Sequence, residues 1–333
     1  STPNCFPSMS HSPTSPDKPA PPLPSANPNV LPEVALVNLT PAVIQRVREG
    51  VAMSQNPLVR RHIAQDLAEL SALATGQTDG RVSGRFRRWL LRRFIKAFFQ
   101  VRIENPQYIP TAPNVLTANH LSHLDPFLIL AFVPPHPYYY ILGDARTLYN
   151  KRWKRWLLGW AGGVIPLERW WKEELAVMAA AQADRPDLQP LAETIQRDVP
   201  NGSSIQQMRQ IDQAVQAILG QGDGILIFPE GRLGEQEGQM HPMKRGTVIY
   251  AMRSGVPVVP IAIMGTKDLY LRKRLTLRFG PPVSMPHRPR PKRQEIDDAL
   301  AQLEQAFATL LPADYQDPPG PKVLGHWLNH LFW

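Results

Sequence analysis

The chain has 333 residues, longer than the commonest small domain and enough for one sizeable α/β core with terminal extensions. Lys and Arg number 37 against 28 Asp and Glu, and the resulting net charge of +9 points to anionic partners such as membrane lipid, phosphorylated substrates or nucleic acid. The only cysteine, Cys5, excludes an intramolecular disulfide and a cysteine metal cluster, offers no catalytic thiol in a tail of this composition, and fits a reducing, cytoplasmic setting.

Residues 1–34 are Ser/Pro-rich with few large apolar side chains, so burial cannot offset the entropy of ordering and a disordered tail is expected. The tail lacks the basic start and apolar stretch of a signal peptide, and it has neither the arginines nor the amphipathic pattern of a transit peptide. No apolar run along the chain reaches the roughly 18 residues that span a bilayer. Lying on a membrane surface stays open.

Residues 35–104 read as an N-terminal helical region. Apolar residues recur at helical spacing from Pro41 to Gly76, with Pro57 starting a second helix and Gly76 ending it. A third helix is expected over Gly84 to Ile103, with Phe86, Trp89, Leu90, Phe94, Ala97, Phe98 and Val101 on one broad face and Arg85, Arg88, Arg92 and Lys96 on the other. That pattern suits an ordinary amphipathic helix packed on its own domain, and equally an interfacial helix with aromatics in lipid and arginines at the headgroups.

From Asn105 the pattern changes to short apolar runs alternating with helical segments. The runs are Asn114 to Asn119, Tyr138 to Gly143, Gly163 to Arg169, Gly224 to Gly231, Val256 to Gly265 and Leu275 to Gly280; helices are expected at Pro126 to Phe132, Ile205 to Leu219 and Gly246 to Ser254. The expectation is an α/β fold, a mixed, partly parallel sheet flanked by helices, with N-terminal amphipathic helices for membrane-surface association. Functional groups then gather in the loops where strands end. Residues 105–312 form the main domain, about 170–204 looks like an insertion within it, and 313–333 form an aromatic tail that either adds a membrane contact or docks on the core.

Three strand ends carry unusual polar residues: "NHLSHLD" (Asn119 to Asp125), "PLER" and "FPEGR". His120 and Asp125 are five apart and diverge by about 140° on a continuous helix, so they meet only if a turn separates the strand from a helix starting near Pro126. Three readings stay open. Asp125 caps the helix and the histidines are incidental; His120 and His123 ligate a metal, although no further ligands stand at familiar spacing; or His120 is a general base whose tautomer Asp125 fixes. With no G-x-S-x-G and only a remote Cys5, a nucleophile in the third reading has to be the substrate's own hydroxyl.

These residues resemble the glycerolipid acyltransferases, the family that includes the 1-acylglycerol-3-phosphate acyltransferases. "NHLSHLD" fits the family's N-H-x-x-x-x-D motif in full, "GVIPLER" keeps Gly163, Ile165, Leu167 and Arg169 in register with Pro166 replacing an aromatic, and "FPEGRLG" keeps Phe228, Pro229, Glu230 and Gly231. Arg232 falls one position early, and Leu233 occupies the usual arginine site. "MKRG" and "GVPVVPIAIMGT" resemble the family's basic turn and fourth, apolar motif, so the match runs over about Asn114 to Val283.

The resemblance implies transfer of a fatty acyl group from acyl-CoA or acyl carrier protein to the hydroxyl of a lysophospholipid, lysophosphatidic acid in the leading case, with no cofactor and no metal. It assigns catalysis to His120 and Asp125, and substrate binding to Arg169, Glu230, Gly231, Arg232 and Lys244. It implies a peripheral protein on the cytoplasmic face of a membrane, with an anionic membrane surface as partner. A non-catalytic lipid binder would have no need of the His120 and Asp125 pair. Nucleic acid is not an expected partner, since the basic residues concentrate beside aromatics and no zinc-finger spacing or RNA-binding signature occurs.

Overall fold

The computed structural model describes residues 37–75, 81–202 and 204–332. The expected disordered tail, Gly76 as a helix end, and Trp333 lie outside those residues. Helix starts follow the local chemistry. Thr40 caps α1 (Pro41–Gln55) by accepting from Val43 N–H at 3.3 Å, and Asn56 caps α2 (Pro57–Ala74) by accepting from Leu58 N–H at 2.9 Å. In both, proline fills a first-turn position whose missing N–H costs nothing.

The third helix, α3 (Gly84–Phe98), stops five residues short of the expected end. Gln100–Glu104 instead form strand β1, because the stretch Gln-Val-Arg-Ile-Glu alternates with period two and sends Val101 and Ile103 to the core. The buried side of α3 is also not the apolar face expected: Arg87, Leu91 and Ile95 are buried, whereas Phe86, Trp89 and Phe94 of the expected face are exposed.

Six further strands follow: β2 (Val115–Ala118), β3 (Tyr139–Asp144), β4 (Val164–Leu167), β5 (Gly224–Ile227), β6 (Val258–Met264) and β7 (Arg274–Phe279). They make one seven-stranded sheet in the order β1-β7-β6-β2-β5-β3-β4, parallel at every pairing except β6 with β7. Strands β2 and β5 are neighbours with Leu116 opposite Leu226, so the segments leaving their carboxyl ends emerge side by side. Chain order reverses about β2, since β3 lies on one side of it and β6 on the other, which is where an open α/β sheet offers a crevice.

Helices cover both faces of the sheet. On one face α2, α3 and α4 (Asp125–Phe132) bury Val59, Leu91, Ile95 and Leu128 against Leu116 and Leu226. On the other, α9 (Ile205–Gly220), α10 (Gly246–Ser254) and α11 (Arg293–Leu310) bury Val215, Val248 and Phe307 against Val115 and Ile225. The strands are nearly continuous apolar runs because both faces are covered.

Short helices α5 (Ala145–Leu148) and α6 (Arg152–Ala161) link β3 to β4. The insertion forms α7 (Lys172–Ala183) and α8 (Gln189–Asp198), which join α1 in a separate small core of Val47, Val51, Val177, Ile195 and Val199. At the carboxyl end, α12 (Gly325–Phe332) docks through buried Leu328 and Phe332 and leaves Trp327 outside. Asn329 Oδ1 accepts from Leu269 N–H at 2.8 Å and fixes that docking.

Asp66, buried in α2, accepts the hydroxyl proton of Tyr149, and its burial lifts the carboxyl from its ordinary 3.8 to about 7. Below pH 4 the group is protonated in both folded and unfolded chains. Between pH 4 and 7 the unfolded chain ionises alone, so stability falls, and above pH 7 the deficit is constant. Asp66→Asn is expected to remove that slope and to be more stable than wild type by roughly 2–4 kcal/mol at pH 8, with no gain at pH 4. Thermal or urea unfolding at the two pH values checks it.

Candidate active site

The segment between β2 and α4 turns back on itself, as the meeting of His120 and Asp125 requires. Asn119 at the end of β2 is fully buried; its Oδ1 accepts from Ile263 N–H at 2.7 Å and its Nδ2 donates to Ile263 C=O at 3.0 Å, tying the turn to β6. Ser122 Oγ accepts from Leu124 N–H at 3.2 Å. The helix begins at Asp125 itself, with Leu124 in the cap position. Asp125 therefore does not cap α4 but points backward into the turn.

There, one carboxylate oxygen, Asp125 Oδ2, receives three N–H groups: Leu121 at 2.6 Å, Ser122 at 2.8 Å and His120 Nδ1 at 3.0 Å. Asp125 is completely buried, and these donors take the place of water on that oxygen. With the carboxylate oxygen as acceptor, the imidazole proton sits on Nδ1 and Nε2 is left as the free lone pair. The ring stacks on Phe228 at 4.1 Å between centroids, and its side chain is 16% exposed, enough for Nε2 to meet a ligand.

The second carboxylate, Glu230, comes from the turn after β5 and is 3% exposed. Its Oε1 accepts from His120 N–H at 3.0 Å and its Oε2 from His241 N–H at 2.7 Å. Burial pushes this carboxyl above its ordinary range, and the two backbone donors oppose that shift. Glu230 thus fastens the β5 turn to the backbone of His120.

Arg169, just beyond β4, lays its guanidinium on the same turn, with Nη2 donating to Gly231 C=O at 2.8 Å. Gly231 has φ +66, a left-handed conformation, and a Cβ there would stand 2.9 Å from Arg169 Nη2, so both backbone and contact favour glycine. Arg232 is exposed and donates to His241 Nδ1 at 2.6 Å. Lys244 joins the turn through its backbone, its N–H donating to Pro229 C=O at 2.7 Å, while its side chain is exposed. Direct bonds connect His120, Asp125, Glu230, His241 and Arg232 in one chain, and Arg169 lies on the glycine next to Glu230.

Residues 100–264 match the family model described as Acyltransferase. This segment, just under half of the chain, is an acyltransferase-family domain. It is similar to 1-acyl-sn-glycerol-3-phosphate acyltransferase alpha of Mus musculus, 26% identical over 211 residues that make up 59% of each chain. It is also similar to the 1-acyl-sn-glycerol-3-phosphate acyltransferase of Limnanthes douglasii, 31% identical over 142 residues, 40% of this chain and 47% of that one. The chain thus spans about half to three fifths of the length of these relatives. Among solved structures, that of the 1-acyl-sn-glycerophosphate (LPA) acyltransferase PlsC from Thermotoga maritima aligns with a TM-score of 0.45 and 19% identity, covering 70% of this chain and 83% of that one.

Three groups around this candidate site were not legible in the sequence motifs. Arg146, buried after β3, pairs with fully buried Glu174 of α7, lies over the Trp171 ring at 4.0 Å, and donates from Nη2 to Arg169 C=O at 2.8 Å. It sets the backbone of Arg169, and the only hint in the sequence is Glu174 three residues into a helix after Trp171. His241 serves both Glu230 and Arg232 from a loop with no motif. His123, expected to be exposed, is half-buried with its ring 6.1 Å from that of His120. Burial first, then the positive charge of Lys154, holds its imidazole well below the ordinary range and therefore neutral at pH 7. Lys154 is itself 2% exposed, donates to Thr147 C=O at 3.2 Å, and is brought down by burial to about 7.

Glu230→Gln replaces one buried acceptor oxygen by an NH2 that faces an N–H. The variant is expected to lose about 1–3 kcal/mol of stability, measured by urea unfolding at pH 7.

Proposed function

We propose that the protein transfers a fatty acyl group from a thioester, acyl-CoA or acyl carrier protein, to the free hydroxyl of lysophosphatidic acid, giving phosphatidic acid. The observation that carries this reading is the buried Asp125 carboxylate on His120 Nδ1 at 3.0 Å, which presents Nε2 as a base within a segment that matches an acyltransferase model. The relatives' names supply the acceptor class.

His120 Nε2 takes the hydroxyl proton as that oxygen attacks the thioester carbonyl. The Nδ1–H bond to Asp125 stabilises the imidazolium that forms. The tetrahedral intermediate then expels the thiolate, which recovers the proton from Nε2 and leaves as the free thiol. No side chain of the enzyme is acylated along this route. Arg169, pinned by Gly231 and backed by Arg146, is the cation assigned to the acceptor's phosphate, while the half-buried Phe228 ring keeps His120 facing the opening.

A lysolipid and a long acyl chain are gathered most readily at a bilayer, so the enzyme is assigned to the cytoplasmic face of an anionic membrane. Among the described residues no helix is long and apolar enough to cross one. A second acceptor class, another lysolipid or a neutral lipid hydroxyl, is favoured by one observation: Arg232 stands a position early and is engaged by His241.

With a labelled long-chain acyl-CoA and, in parallel, acyl carrier protein as donor, wild type is expected to acylate lysophosphatidic acid, and His120→Ala to lose at least about 100-fold in kcat with its unfolding curve preserved. Turnover within tenfold of wild type would remove the general-base role. Arg169→Ala is expected to raise KM for lysophosphatidic acid by about tenfold or more, equivalent to roughly 1.4 kcal/mol, and to leave KM for a neutral lysolipid unchanged. Wild-type transfer only to another acceptor would move the assignment to the second class.

A further inference from the structure

We propose that one aromatic face built from α3, α6 and α12 is the surface on which the protein docks on an anionic lipid bilayer. The proposal deepens the membrane assignment above by naming the face, and it brings in two helices far from α3 in sequence.

The rings form two clusters along α3. Trp156 and Trp160 of α6 stack at 6.3 Å, Trp160 meets Phe86 of α3 edge-on at 5.3 Å, and Phe94 meets Phe98 at 5.3 Å. Phe98 then meets Trp327 of α12 at 6.1 Å. Phe86 and Phe94, one from each cluster, are eight residues apart, about 12 Å along the helix and about 80° around it. Much of this surface is open to solvent: Trp156 is 68% exposed, Trp89 55% and Trp327 49%. Val323 and Leu324, which lead into α12, are about as exposed. Single exposed apolar side chains need no explanation, but clustered tryptophan and phenylalanine rings do.

Charge selects the occupant. The helices α3, α6 and α12 contain no Asp or Glu, against six Lys or Arg in α3 and three in α6. Arg85, Arg93, Lys96 and Arg152 are exposed, where long side chains lay their stems along apolar surface and reach outward to phosphate. A second copy of the chain would bring these like charges face to face, whereas an anionic bilayer complements both the rings and the cations.

The test is flotation of the whole chain with vesicles of phosphatidylcholine alone and of phosphatidylcholine with roughly one third phosphatidylglycerol. Wild type is expected to float with the anionic vesicles. Trp89→Ser, Trp156→Ser and Trp327→Ser, one from each helix, are each expected to weaken partition about tenfold, and the triple variant to stay at the bottom of the gradient. Arg93→Glu with Lys96→Glu should reduce binding to the anionic vesicles alone. Circular dichroism and the thermal midpoint establish that the variants fold, which side chains this exposed should allow.

If only Trp89→Ser weakens flotation, the three-helix face is wrong and α3 acts alone. If wild type does not float but runs as a dimer that the triple variant dissociates, the face is a self-association surface and the proposal fails. Flotation needs no turnover, so an enzyme inactive on every acceptor leaves this result standing. Variants that no longer float yet transfer acyl groups in mixed micelles at the wild-type rate support the docking face and the catalytic reading together.

Discussion

Two buried carboxylates hold the segment between β2 and α4, and the candidate chemistry depends on them. Six residues that leave a strand and enter a helix cannot satisfy their own N–H groups by secondary structure. Asp125 accepts from Leu121, Ser122 and the His120 ring, and Glu230 accepts from the His120 backbone. Each carboxylate has lost its water, so removing any one donor leaves a costly partial charge in the interior. The His120 ring is thereby fixed by its backbone from one side and by Nδ1 from the other. A general base must be in place before substrate arrives, and this lattice supplies that order in the free protein.

The sheet makes the lattice possible. Glu230 reaches His120 because β5 lies directly beside β2, although the two residues are 110 apart in sequence. Arg169 arrives from β4 at the edge of the same sheet, and the intervening β3 contributes Arg146, which steadies the Arg169 carbonyl. Four strands with their carboxyl ends on one side thus bring a carboxylate, an imidazole and two guanidinium groups to one rim; Glu230, Arg169 and Arg146 bond to backbone, and the His120 ring to the Asp125 carboxylate. Burial of the Arg146 and Glu174 pair joins this rim to the lobe of α1, α7 and α8. The insertion is consequently a buttress for Arg169 as well as a cover.

The strands and most helix starts were legible in the sequence, because apolar runs bounded by Gly and Pro, and caps such as Thr40-Pro41 and Asn56-Pro57, act locally. The His120 and Asp125 pairing was legible for the same reason, since a strand, a turn and a proline fix the path of only seven residues. Strand β1 was missed because Gln100 to Glu104 continue the aromatic and basic pattern of α3 almost without a break; only pairing with β7 makes them a strand. Glu230 was legible as important but not in its use, for a motif shows that a carboxylate is present and not which N–H groups it will meet. Arg146, His241 and Lys154 carry no local signature at all, because their partners come from distant elements.

The position of positive charge follows from the same distinction between exposed and buried groups. On α3, Arg85, Arg93 and Lys96 are exposed on a helix that also exposes aromatic rings, where water still solvates them and a lipid phosphate can replace that water at little cost. Around His120 the cations are of another kind. Lys154 is buried and donates to the Thr147 carbonyl, and the neutral His123 has its ring 6.1 Å from that of His120. A neutral His123 adds no like charge beside the His120 ring, while the Asp125 carboxylate accepts from its Nδ1, an arrangement that suits the base proposed for this site.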